Sequence, residues 1–250
     1  GFFPYFGVQG RVLMKPAAIV DGLPVPITIP DPVGAFASLL TGEPSTVIPV
    51  PDPVPDPSVP LDDSAFAEHF DVDAAGAAPA NAYLLALLSG GVYVEAHEPG
   101  GFTDGFAADA HGMGLGDVTF IENALTDTEL VAARSDDATV VVFRGTEPSE
   151  PGVDGALVDA SFRLRNQPTP AGTVAVHSGF WQAVDSVYDD VVDYVEASGD
   201  RRVWLTGHSL GGSLAVVTAL RLAADGYDVA GIQSIGAPNV GGPSFTTVYD

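Results

Sequence analysis

Gly207-His208-Ser209-Leu210-Gly211 places a serine between two glycines, the arrangement in this chain best suited to covalent chemistry. A serine hydroxyl held at a sharp turn can attack a carbonyl carbon and carry the acyl group as an ester. The surroundings fit the G-x-S-x-G pattern. Val203-Trp204-Leu205-Thr206 is a short β-prone run, and Ser213 to Ala224 is rich in Ala and Leu, so strand, turn and helix follow in order. In a chain with 29 glycines the pattern alone can arise by chance, and this context gives it weight. The turn demands a strained backbone at Ser209. Side chains at Gly207 or Gly211 would collide with the neighbouring helix and strand. The following helix turns its positive end toward the hydroxyl and favours negative charge developing there.

A serine nucleophile needs a histidine base, itself oriented by a carboxylate. The five histidines are His69, His97, His111, His177 and His208, and all precede Ser209. Other chemistry-bearing clusters weigh less. Asp71-Val72-Asp73-Ala74-Ala75-Gly76 begins like a calcium loop, but Ala75 lacks an oxygen and Ala82 stands where the bidentate acid belongs. Gly112, Gly114 and Gly116 alternate without a helix pattern after them to cradle a phosphate. Glu95 and His97 lack further ligands at useful spacing and read as a solvated surface pair. No metal site and no cofactor are expected.

The elements that must position the serine follow from periodicity. Pro79 suits a first helical turn; Tyr83, Leu84, Leu87 and Leu88 share a face before Gly90-Gly91. Val118 to Ile121 reads as a strand. Glu129 to Arg134 and Ala138 to Phe143 read as strands joined by the turn cluster Ser135-Asp136-Asp137, the second apolar throughout, as in a strand buried on both faces. From Phe180 to Val195 apolar residues keep helical spacing, predicting one helix that stops at Ser198-Gly199. The strand ending at Thr206, the helix after Ser209, a stop at Asp225-Gly226 and a strand from Val229 to Ile235 complete the series. Alternating strands and helices predict an α/β fold, a mostly parallel sheet with helices on both faces.

Composition narrows the function. The 250 residues carry 33 acidic and nine basic groups, a net charge of −24. Residues 61–250 hold 28 of the acids and seven of the bases, so the acid coats the folded part. Nucleic acid is excluded as a partner, since it needs a basic surface. The excess of Asp over Glu, with Lys15 the single lysine, fits a high-salt habitat or a GC-rich genome equally. No cysteine is present, so thiolate and disulfide chemistry are excluded while the compartment stays open. No signal peptide or membrane span is visible; secretion is compatible with that, and localisation is undetermined. Residues 1–60 hold 13 of the 21 prolines and are expected to form an extended segment, with polyproline II at 48–57, ahead of a folded domain at 61–250.

Several blocks resemble the class 3, or fungal-type, lipases of the α/β-hydrolase superfamily. Val140 to Thr146 resembles their strand ending in F-R-G-T/S, and Val176-His177-Ser178-Gly179-Phe180 resembles v-H-x-G-F. Gly207 to Gly212 resembles the G-H-S-L-G-G elbow, and Gly236-Ala237-Pro238-Asn239-Val240-Gly241 resembles f-G-x-P-x-V-G. Asn81 to Tyr93 is similar to the family's early helix. The resemblance implies an α/β-hydrolase fold and Ser209 as nucleophile. It implies an oxyanion hole from the backbone N–H groups of Leu210 and Thr146. It also implies structural roles for His177 and His208, and a lid within 147–162. Arg144, after an apolar strand, is expected to form a buried ion pair. Asp159 resembles the second acid of the family's D-W-x-x-D loop, although Gly155-Ala156 stands where Asp-Trp is usual. The family's triad Asp and His lie beyond the Pro-x-Val-Gly block, and the chain is expected to be a C-terminally incomplete copy that is inactive or weakly active alone. The implied activity is hydrolysis of acyl esters, as a triacylglycerol lipase or carboxylesterase, with transient contact to a lipid interface. A phospholipase or polyester-type esterase, and an inactive hydrolase-like binding domain, are the alternatives.

Overall fold

The computed structural model describes residues 17–20, 23–26, 62–75, 78–93, 101–145, 163–169, 172–242 and 244–245. The chain divides into two units, Met14–Pro57 and the remainder. The smaller unit contains an antiparallel pair, β1 (Ala17–Val20) and β2 (Leu23–Pro26), in the register Ala17 opposite Pro26 and Val20 opposite Leu23. Two prolines in β2 fit an edge strand, where an N–H on the outer side is not needed for the ladder. This ribbon is absent from the sequence expectation, which has an extended segment throughout 1–60. The polyproline stretch at 48–57, Glu95 and His97, Thr146, the lid segment at 147–162 and, within it, Gly155, Ala156 and Asp159 lie outside the described residues.

The larger unit runs α1 (Ala65–His69), α2 (Pro79–Gly91), α3 (Gly101–Gly112), β3 (Gly116–Asn123), β4 (Thr128–Arg134), β5 (Ala138–Phe143), β6 (Leu164–Thr169), β7 (Gly172–His177), α4 (Ser178–Asp185), α5 (Tyr188–Ala197), β8 (Arg202–His208), α6 (Leu210–Asp225) and β9 (Val229–Ile235). Five strands form one sheet in the order β3-β4-β5-β8-β9. The pairings β3–β4 and β4–β5 are antiparallel, whereas β5–β8 and β8–β9 are parallel. The sheet is therefore mixed, where a mostly parallel one was expected. The turns at 124–127 and 135–137 are too short for a crossover, which needs a dozen residues or more, so β3, β4 and β5 fold back on each other. Only the half that carries the serine is parallel.

Alternation along the strands divides the core in two. Ala138, Val140 and Val142 of β5 join Val131, Ala133 and Trp204 in a cluster with Leu84, Leu85 and Leu88 of α2 and Phe106 of α3. Val141 and Phe143 face the other way, with Leu130, Leu205, Phe180, Val191 and Leu214. All six residues of β5 are buried, as its apolar run predicts. Helices thus cover both faces, α2 and α3 on one side and α4 to α6 on the other.

The apolar run from Phe180 to Val195 breaks into two helices, α4 and α5, rather than one. The β3–β4 turn causes it. Asn123 Nδ2 donates to the Ser186 carbonyl at 3.1 Å, Thr126 and Ser186 hydroxyls lie 2.7 Å apart, and Ser186 Oγ donates back to Ala183 O at 2.7 Å. Ser186 N–H still donates to Gln182 O at 3.1 Å, but the Ser186 carbonyl is taken by Asn123, and the ladder breaks at Val187, which takes φ −127° and ψ 0°. By contrast, α6 stops where expected. Gly226 has φ 94°, and the bonds Tyr227 N to Leu222 O and Gly226 N to Ala223 O form a Schellman cap.

Candidate active site

Strand β8 lies between β5 and β9, and its C-terminal end delivers Ser209 to the junction with α6. Ser209 has φ 54° and ψ −125°. That conformation matches the first central position of a type II′ turn, where glycine is usual and a Cβ is strained. Its N–H donates to Ile235 O at 2.9 Å, and its carbonyl accepts from Gly212 N at 3.1 Å, so both sides of the residue are held. No side-chain bond caps α6 through Ser209 Oγ.

The two flanking glycines are required by close approach. A Cβ at Gly207 would lie 2.5 Å from Gly211 O and 2.8 Å from Gly212 N; one at Gly211 would lie 2.8 Å from Arg144 C and closer still to Phe143 O. The start of α6 therefore presses against both its own strand and the end of β5. Leu210 N–H, first in the helix, has no carbonyl one turn back to bond. Together with the helix dipole it forms a donor suited to an oxyanion. Leu210's side chain packs partly buried against the core beside α4 and α5.

The segments around the serine are tied to one another by hydrogen bonds. His177 N donates to Val240 O at 2.8 Å, Gly242 N donates to Ala175 O at 2.8 Å, and Val176 bridges Gly241. Ser213 Oγ, in α6, donates to Pro238 O at 2.9 Å. The blocks 140–145, 176–180, 207–212 and 236–241 are distant in sequence and adjacent in space.

Both histidines of these blocks make hydrogen bonds to neighbouring structural groups through Nδ1. His177 caps α4: its Nδ1 accepts from Phe180 N at 3.4 Å, and its ring lies 4.3 Å from that of Phe180. Burial lowers its pKa. His208 Nδ1 lies 3.2 Å from the Tyr93 hydroxyl, and desolvation lowers its pKa too. Both rings are thereby biased to the neutral form. His69 closes α1 and His111 lies in the last turn of α3. Arg144 pairs with Glu129, with side-chain exposures of 9% and 26%. Burial raises the Glu129 carboxyl pKa, and the guanidinium opposes the rise.

Tyr93 is the residue at this site that sequence reasoning passed over. It was visible only as the end of an early helix; the glycine at 145, against which its hydroxyl packs, was the available hint. Asp71 and Asp73, dismissed as calcium ligands, have other partners. Asn81 exchanges two bonds with the Asp71 backbone, and Arg202 pairs with Asp73 and Asp228 at 2.9 Å each. Among the described residues no cluster of three or more His, Cys, Asp or Glu is placed to hold a metal.

Residues 140–250 match the family model described as lipase (class 3). The chain is 29% identical to the secreted mono- and diacylglycerol lipase A of Penicillium cyclopium over 128 residues, 49% of this chain and 40% of that protein. It is 30% identical to a lipase of Rhizopus niveus over 138 residues, 51% of this chain and 34% of that protein. A solved triacylglycerol lipase, described as having a serine protease triad as its catalytic centre, superposes with a TM-score of 0.50 and 27% identity. The superposition covers 68% of this chain and 66% of that one. The match to the curated relatives thus spans well under half of their length. The family model and the solved relative together cover the strand–turn–helix around Ser209 and the blocks packed on it, and over residues 140–250 the chain is similar to the class 3 lipases.

Proposed function

We propose that this protein hydrolyses acyl esters as a triacylglycerol lipase or carboxylesterase, through an acyl-enzyme on Ser209. The observation that carries the reading is the backbone of Ser209, φ 54° and ψ −125° at a strand–helix junction packed by Gly207 and Gly211. A strain of this kind persists only where the surrounding structure imposes it, and such positions concentrate at functional sites. Ser209 Oγ bonds to the acyl carbon as its proton passes to a histidine base. The alkoxide leaving group then takes that proton, and water reverses the sequence to release the acid. The charge that develops on the carbonyl oxygen falls to Leu210 N–H and, by family resemblance, to Thr146. By family resemblance, the base and its carboxylate lie beyond the Pro-x-Val-Gly block at 238–241. Residues 61–250 are assigned to the hydrolase domain and 1–60 to an appended proline-rich segment.

The test uses the full-length protein, a fluorophosphonate probe and a chromogenic acyl ester. Ser209 should carry the label, and Ser209→Ala should lower turnover by about a million-fold, as loss of a triad serine does. Label on another residue, or hydrolysis surviving in Ser209→Ala, rejects the reading.

A further inference from the structure

The Tyr93 hydroxyl occupies a position that two backbone segments leave open for it. Tyr93 lies two residues beyond the end of α2, in a turn closed by its N–H to Gly90 O at 3.1 Å. Its hydroxyl donates to the carbonyl of His208 at 3.3 Å and lies 3.2 Å from Nδ1 of the same residue. One hydroxyl has one proton, so donation to the carbonyl leaves a lone pair to accept from Nδ1–H. The two rings meet edge to face, centroids 5.8 Å apart at 73°. On the far side is Gly145, where a Cβ would lie 2.5 Å from His208 O and closer to the Tyr93 hydroxyl.

That carbonyl belongs to the peptide plane joining His208 to Ser209. The other end of the same plane, Ser209 N–H, is bonded to Ile235 O at 2.9 Å. A peptide unit is rigid, so bonds at both ends fix its orientation. The orientation of this plane sets φ at Ser209, the strained angle of 54° that aims the serine side chain. We infer that Tyr93 is a positioning residue: its hydroxyl clamps the 208–209 peptide against Ile235 and Gly145 and so holds Ser209 in its reactive orientation. This deepens the proposed function and rests on Ser209 being the nucleophile.

Tyr93→Phe removes the oxygen and keeps the ring. In the full-length protein it should lower kcat and the rate of fluorophosphonate labelling by about tenfold, the scale of one lost hydrogen bond that orients a reacting group. KM and Tm should stay unchanged, and amide exchange at Ser209 should quicken. Tyr227→Phe, which breaks a surface bond to Glu196, serves as the control with unchanged kcat. Rates within twofold of wild type in Tyr93→Phe overturn the inference. A rate loss that tracks a fall in Tm overturns it as well, since the hydroxyl then acts through stability alone. If wild-type protein labels at a residue other than Ser209, the nucleophile reading fails and the inference fails with it. A labelled wild type with an unaffected Tyr93→Phe rejects the clamp alone.

Discussion

Replacing Ser209 by glycine should give a more stable protein than replacing it by alanine, the reverse of the usual ranking. Both changes remove the hydroxyl, so their difference isolates the Cβ. At φ 54° and ψ −125° that Cβ is strained, and non-glycine residues in sparsely populated regions carry about 1–3 kcal/mol each. Glycine relieves the strain but gains freedom in the unfolded chain, which offsets about 0.4–1 kcal/mol. The residue cannot relax by turning, because its N–H is bonded to Ile235 O and its carbonyl to Gly212 N. The glycines on either side already touch the backbone around them. The net advantage of glycine is about 1–2 kcal/mol, or roughly 2–8 °C in Tm for a domain of this size. Thermal and urea unfolding of the two variants, at one fixed salt concentration, measure it. If Ser209→Gly melts at or below Ser209→Ala, the turn is not strained at this residue, and the argument from strain to nucleophile loses its basis.

Gly211→Ala should destabilise the protein by about 1–3 kcal/mol and slow labelling at Ser209, because its methyl group meets Phe143 and Arg144; denaturant melts and label kinetics read both. Below about pH 6.5 stability should fall, since His177 has a depressed pKa when folded and the unfolded chain binds the proton first. Protonation also removes the acceptor that caps α4, so His177→Asn should flatten that part of the pH–stability profile, leaving the share of His208, which is depressed in the same sense. Arg144→Met should destabilise by somewhat less than the about 3–5 kcal/mol of a fully buried pair, as the Glu129 side chain keeps 26% exposure. Adding Glu129→Gln should recover part of the loss, and additive unfolding free energies would contradict the pairing. With a net charge of −24, hydrolysis on neutral vesicles should exceed that on anionic ones at low salt, with the gap closing as salt rises; faster turnover on anionic vesicles at low salt would show that surface charge does not govern access.

The parts of the site legible in the sequence are those dictated by local sterics. Gly207 and Gly211 are small because a strand and a helix start must touch at the turn, and that need is written in adjacent residues. The unbroken apolar run of β5 and the glycine at 226 are of the same kind. Elements whose order arises from distant partners were not legible. Helix α3 includes Gly101, Gly105 and Gly112, and forms by burying Phe106 and Ala110 against α2 and the sheet. Strand β6 is mostly exposed and includes Pro168; pairing with β7 holds it.

Backbone angles at Ser209 and the burial of β5 were thus available from short-range chemistry: which residues tolerate a positive φ, and which runs exclude water from both faces. The break between α4 and α5 was not, because the apolar spacing continues across it and the bonds that open it come from Asn123 and Thr126, some sixty residues away. The clamp on the 208–209 peptide was not legible either. Tyr93, Gly145, His208 and Ile235 lie in four separate parts of the chain, and one hydrogen-bonded peptide plane unites them only when β5, β8 and β9 lie side by side.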